Sequence, residues 1–208
     1  MKQKPLKVGF DMDGVLLYNP ARIVRPLIST FKKNKIGFKR EELEFYVPRP
    51  GFQQFFWEML HKSSCFLAPG FDQIKKLKAE KLIEPYMITG RFGHLKKDYL
   101  KWKKKMKADE LFVECFMNSD DEQPHLFKER LIKDLGLEVF VEDNWDIVRY
   151  LDDSCRQKGG EICNAQVIWV SNILDYRIKY HSKVSNLKSA IEIIQNLTTS
   201  NEKSFASK

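Results

Sequence analysis

Asp11 and Asp13 stand two residues apart in Asp11-Met12-Asp13-Gly14, directly after the apolar run Leu6 to Phe10. Two carboxylates at that spacing can share a cation while doing different work. A calcium loop of the EF-hand type is excluded, because it needs glycine at its sixth position and glutamate at its twelfth. Here Gly14 is fourth and Arg22 is twelfth. Asp-x-Asp-Gly after a strand is also ordinary turn chemistry, so this motif alone leaves both readings open. Thr89-Gly90-Arg91 ends a second apolar run, Ile83 to Ile88, with a hydroxyl and a backbone amide that can reach an anion. Thr-Gly is common in turns too. Lys128 lies near the start of a helix-like segment, where a lone lysine is ordinarily a solvated surface residue, and Glu142-Asp143-Asn144 closes a further apolar run, Leu137 to Val141. Each of the four falls at the end of a strand-like run or on the helix that follows, and together they form a much stronger signal than any one alone.

The elements that must position these residues alternate. Apolar runs at Leu6 to Phe10, Ile83 to Ile88, Leu111 to Phe116, Leu137 to Val141 and Val167 to Val170 read as buried strands. Amphipathic segments at Phe71 to Lys81, His94 to Lys105, Pro124 to Leu135, Trp145 to Asp153 and Leu187 to Leu197 read as helices. That βαβ alternation predicts an α/β fold with a parallel sheet, right-handed crossovers and a ligand site at the carboxyl ends of the strands. Between Leu17 and Pro69 the periodicity is helical instead, with Ile23, Leu27 and Phe31 at one spacing and Phe52, Phe55, Phe56, Met59 and Leu60 at another. The expected organisation is therefore a core over residues 1–17 and 70–197, a small helical insertion over 18–69 and a polar, frayed tail over 198–208.

The set resembles the haloacid dehalogenase superfamily of phosphohydrolases, on Asp11 to Gly14, Thr89, Lys128 and Glu142 to Asn144. The resemblance covers about Leu6 to Ile194, and the helical insertion falls where that superfamily carries a cap. The aromatic stretch ending in Phe66 to Gly70, with Thr-Gly-Arg and the Glu-Asp-Asn strand end, looks most like the 5'(3')-deoxyribonucleotidases and their bacterial nucleotidase relatives. The resemblance implies a Rossmann-like core and a Mg²⁺-dependent phosphomonoesterase working through an aspartyl phosphate. Asp11 is then the nucleophile, and Asp13 the general acid and base. Thr89, Gly90 and Lys128 are the phosphate-binding groups; Asp11, the backbone carbonyl of Asp13 and Asp143 are the metal ligands. The acidic motif reads Glu-Asp where the family has Asp-Asp, which leaves open the part played by Glu142; Asp146 is a further candidate ligand. The implied substrate is a small phosphorylated molecule, foremost a nucleoside monophosphate. The alternatives are another small phosphoester, a nucleic-acid end, or a non-catalytic phosphate- or nucleic-acid-binding protein.

Composition frames these expectations. The chain has 208 residues, 43% hydrophobic and 31% charged, which excludes disordered and fibrous classes and supports an unaided core. No stretch approaches the roughly 18 apolar residues of a membrane span, and the expected location is cytoplasmic. Four cysteines without a C-x-x-C pair, and four histidines without zinc spacing, are expected to be reduced thiols and ordinary side chains. The net charge of +8 is unevenly spread: Asp72 to Lys107 hold 12 basic against 4 acidic residues, whereas Asp109 to Asp153 hold 4 against 14. Lys96, Lys97, Lys101, Lys103 to Lys105 and Lys107 read as a solvated face of a helix and the turn after it, with a steering patch or a nucleic-acid contact as the functional alternative. Among the insertion's many aromatics, Phe31, Phe38, Phe45, Tyr46 and Trp57 among them, a base could stack, although helical spacing favours core packing. Arg22, Arg25 and Arg49 are candidate phosphate or sugar contacts of the same low specificity.

Overall fold

The computed structural model describes residues 4–18, 43–62, 64, 66–157 and 165–206. Six strands form one sheet in the order β5-β4-β1-β6-β7-β8, and every neighbouring pair is parallel. They are β1 (Leu6–Asp11), β4 (Ile83–Thr89), β5 (Glu114–Met117), β6 (Val139–Glu142), β7 (Gln166–Val170) and β8 (Lys183–Val184). The chain builds outward from β1 to β4 and β5, then returns to the other side of β1 for β6, β7 and β8. β1 is therefore the switch point of the sheet, where adjacent loops part and leave a crevice at the carboxyl ends.

Both sheet faces are covered, which is why the strands read as continuous apolar runs. Val8, Met87, Val141 and Ile168 turn to one face, against Ile74 and Leu77 of α2 (Phe71–Ala79), Trp102 of α3 (Lys96–Lys105), Leu111 of α4 (Ala108–Leu111) and Ile191 of α7 (Leu187–Ala206). Ile88, Phe140, Val167 and Trp169 turn to the other, against Leu131 of α5 (Pro124–Leu135) and Val148 and Leu151 of α6 (Trp145–Gln157). The five expected strands and five expected helices are all present. Leu111 to Phe112 differ: Leu111 ends α4, and β5 starts at Glu114. α7 also runs past Thr198 to Ala206, where a frayed tail was expected. Buried Thr198 ties it down, and the Thr198 and Thr199 hydroxyls both donate to the Gln195 carbonyl.

The chain leaves and re-enters the core through a two-stranded antiparallel ribbon, β2 (Leu17–Tyr18) and β3 (Phe66–Leu67). Of the insertion, Phe52–Lys62 is the expected helix, α1. Phe52, Phe55 and Met59 on it are exposed, so its apolar spacing does not mark a core face among the described residues. The segment ahead of it docks on α5: the Phe45 N–H donates to Gln123 Oε1 at 2.7 Å, Gln123 Nε2 donates back to the Phe45 carbonyl at 3.3 Å, and the Phe45 ring lies against His125. Ile23, Leu27, Phe31, Phe38, Arg22 and Arg25 lie outside the described residues. Cys155 is disulfide-bonded, against the expectation of reduced thiols, while Cys115 is free. Sequence spacing carries no information on which thiols meet in space. No helix among the described residues is long and apolar enough to cross a membrane.

Candidate metal and phosphate site

The carboxyl end of β1 delivers Asp11, after which the chain turns sharply. The Leu17 N–H donates to the Met12 carbonyl and the Gly14 N–H to the Leu17 carbonyl, both at 2.8 Å. Gly14 has φ 84°, a left-handed conformation that glycine adopts without strain. On one side, β4 ends in Thr89 and Gly90. A Cβ on Gly90 would meet the Pro124 Cβ at 3.0 Å and the Lys128 Cε at 3.7 Å, so the missing side chain lets this turn lie against the start of α5. On the other side, β6 ends in Glu142, followed by Asp143.

Lys128 reaches from α5 into this crevice, where its ammonium donates to Asp11 Oδ1 at 2.8 Å and to Glu142 Oε2 at 2.6 Å. It is 2% exposed, so it is no solvated surface lysine. Oxygens of Asp11, Glu142 and Asp143 lie within 4.8 Å of one another, all three residues buried. Counted as ionised, the three buried carboxylates exceed the one ammonium among them by two charges. A divalent cation would neutralise that excess, and an oxygen-only donor set suits Mg²⁺. The residues present therefore fit the ion the sequence implied. Burial pushes the Asp11 carboxyl well above the ordinary carboxylate range; Lys128 pulls it down, and Glu142, Asp143 and Asp13 push it up again. Burial also raises Glu142, with Lys128 opposing and Asp143 adding to the rise. Burial alone would lower the Lys128 ammonium, but its two carboxylate partners raise it.

Glu142 has two distinct jobs at its two oxygens. Oε2 accepts from Lys128, and Oε1 accepts the N–H groups of Asp143 (3.1 Å) and Asn144 (2.9 Å), closing the turn into α6. The Asp143 carbonyl accepts from Trp169 Nε1 at 3.2 Å, which fixes the backbone that presents its carboxylate. Asp146 stands outside the acidic cluster, its N–H donating to Asn144 Oδ1. Thr89 is buried at the strand end, and its hydroxyl accepts the Arg91 N–H at 3.3 Å.

The Asp13 side chain is also outside the acidic cluster. Its carboxylate faces Arg91 instead, with Nε donating to Oδ2 at 2.7 Å and an Nη to Oδ1 at 2.8 Å. Arg91 is 2% exposed and spends its third nitrogen on Asp98 at 2.6 Å. Ser64 donates to Asp13 Oδ1 at 2.9 Å. None of these contacts carries a sequence signal beyond Arg91 following Thr89-Gly90. Ser64 and Asp98 also wall a cavity of about 370 Å³, with Lys62, Lys101, Trp102 and Lys105 around it. Arg49 is exposed, its N–H donating to Gln53 Oε1.

No family model matches the sequence, and no curated protein matches it. Solved structures do match in fold. A mutant of CbbY from Rhodobacter sphaeroides in complex with xylulose-(1,5)bisphosphate shares 12% identity, with a TM-score of 0.54 over 88% of this chain and 95% of that one. YfnB from Bacillus subtilis, a magnesium-bound protein described as a HAD-hydrolase, shares 9% at 0.55, over 92% and 99%. A phosphonoacetaldehyde hydrolase-like protein from Oleispira antarctica shares 10% at 0.55, over 95% and 94%. An acidic, lysine-compensated cluster at the switch point of a six-stranded parallel sheet thus sits on a Rossmann-like α/β fold shared with solved hydrolases of the haloacid dehalogenase superfamily.

Proposed function

We propose that the protein is a Mg²⁺-dependent phosphomonoesterase that acts through an aspartyl phosphate on Asp11, with nucleoside monophosphates as its substrate class. The observation that carries this reading is the buried group of Asp11, Glu142 and Asp143, with Lys128 reaching into it. A purely structural ion-pair network has no need of three carboxylates gathered in one buried place. Asp11, Asp143 and the Asp13 carbonyl would hold the ion, with Glu142 completing the shell or holding Lys128. When bound, Mg²⁺ supplies the positive charge that lets a phosphate dianion approach a carboxylate.

The chain's own residues then do the following. Lys128, Thr89 and the Gly90 N–H hold the equatorial phosphoryl oxygens and stabilise charge on the transferring group. An Asp11 carboxylate oxygen attacks phosphorus, the bond to the leaving oxygen breaks, and that oxygen takes its electron pair together with a proton from Asp13. In the second half Asp13 takes a proton from water, the water oxygen bonds phosphorus, and the bond to Asp11 breaks, returning free carboxylate and phosphate. The helical insertion over residues 18–69 serves as the cap that faces the rest of the substrate. Phe45 against His125 and Tyr46 near Trp57 supply aromatic surface there for a base. The sugar bisphosphate bound by one fold neighbour, and the magnesium bound by another, support a small phosphorylated substrate and the ion.

Phosphate release from a panel of nucleoside monophosphates, sugar phosphates and 3'-phosphorylated oligonucleotides, with and without Mg²⁺, tests this for wild type and Asp11→Asn. Mg²⁺-dependent release favouring nucleotides, abolished in Asp11→Asn, is expected. Preference for sugar phosphates or oligonucleotide ends overturns the substrate class. Tight oligonucleotide binding with no release from any substrate would establish a binding protein instead.

A further inference from the structure

We infer that the cavity between the end of α1 and the face of α3 is an anion-binding subsite, which takes a phosphate group other than the one transferred at Asp11. This deepens the phosphomonoesterase reading above and rests on it for the neighbouring site; the proposed reaction itself does not use the cavity.

The cavity holds about 370 Å³, within the roughly 300–1,000 Å³ usual for small-molecule sites, so it has room for a phosphate and part of the molecule carrying it. Its cations come from two elements. Lys62 ends α1 in the insertion, while Lys101 and Lys105 stand four residues apart on one face of α3. Like charges at that spacing repel and work against the helix, unless each is paired. Lys103 on the same helix is paired, meeting Asp109 at 2.7 Å. Among the described residues neither Lys101 nor Lys105 meets a carboxylate, and the contact of Lys62 with Glu58 is long, at 3.7 Å. Lys105 lies over the Trp102 ring instead, 4.3 Å from its centroid, and that buried ring forms part of the wall. Among the described lining residues the one carboxylate is Asp98, whose charge is turned to the buried Arg91 guanidinium at 2.6 Å. Three ammoniums therefore border a confined space whose carboxylate is already engaged.

That arrangement selects the ligand. A lysine acts on phosphate oxygens as a flexible point charge, and three of them match a phosphate dianion better than the single charge of a carboxylate. A nucleic-acid backbone needs an open basic stripe, and a duplex does not enter a space of this size. The cavity also adjoins the reaction site. Ser64 walls it and donates to Asp13 Oδ1 at 2.9 Å, and Asp98 is joined to the same carboxylate through Arg91. A phosphate here has two sources, a second phosphate on the substrate or a separate phosphorylated molecule, and the same lysines recognise both.

Pyrophosphate in EDTA is the probe, because without Mg²⁺ the three carboxylates around Asp11 disfavour an anion there. Isothermal titration of wild type should show saturable binding, weakened about tenfold or more in Lys101→Gln/Lys105→Gln, which removes two charged contacts. Both lysines are exposed, so glutamine is accommodated at each. Lys96→Gln/Lys97→Gln removes the same charge from exposed positions of α3 that do not line the cavity, and should bind about as tightly as wild type. Hydrolysis of a nucleoside 5'-monophosphate and of the 3',5'-bisphosphate with Mg²⁺ then distinguishes the sources. A bisphosphate preference of about tenfold in kcat/KM, lost in Lys101→Gln/Lys105→Gln, assigns the second phosphate to the substrate. Equal kcat/KM on both, with pyrophosphate binding lost in that variant, assigns it to a separate molecule. Absent binding, equal binding by all three proteins, or an equal loss in Lys96→Gln/Lys97→Gln overturns the subsite. A wild-type protein that releases phosphate from no monoester overturns the phosphomonoesterase reading instead, and the titration in EDTA still decides the cavity.

Discussion

Removing the Lys128 ammonium should unbalance the acidic cluster in a way that stability measurements can read. In Lys128→Met, Asp11, Glu142 and Asp143 keep oxygens within 4.8 Å of one another, but Asp11 and Glu142 lose the ammonium they share. At an effective dielectric constant of about 20, two unit charges at that separation repel by about 3.5 kcal/mol. Breaking a buried pair by deleting one partner costs about 3–5 kcal/mol in general. The same range is expected here, because proton uptake by Asp11 and Glu142 relieves part of a larger repulsion. For a chain of this size about 1 kcal/mol corresponds to about 2–4 °C, so Tm should drop by about 6–20 °C in EDTA at pH 7.5. The pH dependence has a definite sign. Burial raises both Asp11 and Glu142, so their contribution favours the folded state in acid and is lost as pH rises through their raised values. The gap between variant and wild type should therefore shrink at pH 5.5. Adding Glu142→Gln to Lys128→Met should restore part of the loss, whereas Glu142→Gln alone should destabilise, a non-additivity of about 0.5–3 kcal/mol. Thermal melts followed by circular dichroism on the four proteins settle the matter. A loss below about 1 kcal/mol at both pH values, or a second substitution that deepens the first, would refute a lysine-compensated cluster.

Three further outcomes are expected. Mg²⁺ competes with protons for Asp11 and Glu142, so its stabilising effect on Tm should weaken as pH falls from 8 to 5.5; an effect independent of pH would contradict the carboxylate site. His125 is buried with Nδ1 unpartnered, between Phe45 and Tyr150, and burial lowers its pKa against a weaker pull from Glu129. Folded protein should lose stability as pH falls through the ordinary imidazole value of about 6.5, and His125→Leu should lose less; identical slopes in denaturant titrations would count against a neutral core histidine. The exposed lysines of α3, with Lys101 and Lys105 at the cavity beside Asp98, should act on encounter with an anionic substrate. Raising salt until the Debye length falls from about 30 to about 3 Å should lower kcat/KM more than kcat, and Lys101→Glu with Lys105→Glu should weaken that salt dependence.

Much of this architecture is legible in the residues because local rules and the fold agree. β1, β4, β6 and β7 are covered on both faces, so each is short and mainly apolar, and Pro124 to Leu135 carries its own stop, Gly136 in a left-handed conformation. The order Asp11, Thr89, Lys128, Asp143 is legible for the same reason: each lies at a strand end or one turn into the next helix. What is lost is partnership across the chain. Arg91 follows Thr89-Gly90, but its guanidinium meets a carboxylate 78 positions away, and no periodicity reports that. Glu142 looked like a departure from a diaspartate motif; its two oxygens instead divide between Lys128 and the turn into α6. The insertion shows the converse. Phe52, Phe55 and Met59 recur at helical spacing and α1 forms, yet these side chains are exposed, since spacing specifies a helix and not what covers it. The charge asymmetry is likewise only partly about the site: Glu142 and Asp143 of the acidic block are buried in it, while Glu110, Asp120 and Glu138 face solvent.

The central claim is a covalent bond between phosphorus and Asp11. Rapid quenching during turnover with Mg²⁺ and a phosphomonoester, followed by borohydride reduction, converts an acyl phosphate to the alcohol, and peptide mass spectrometry locates it. Homoserine at position 11, dependent on both substrate and Mg²⁺, is the predicted result. Phosphate release with reduction at a different aspartate, or at none under conditions that trap a control acyl phosphate, would contradict it.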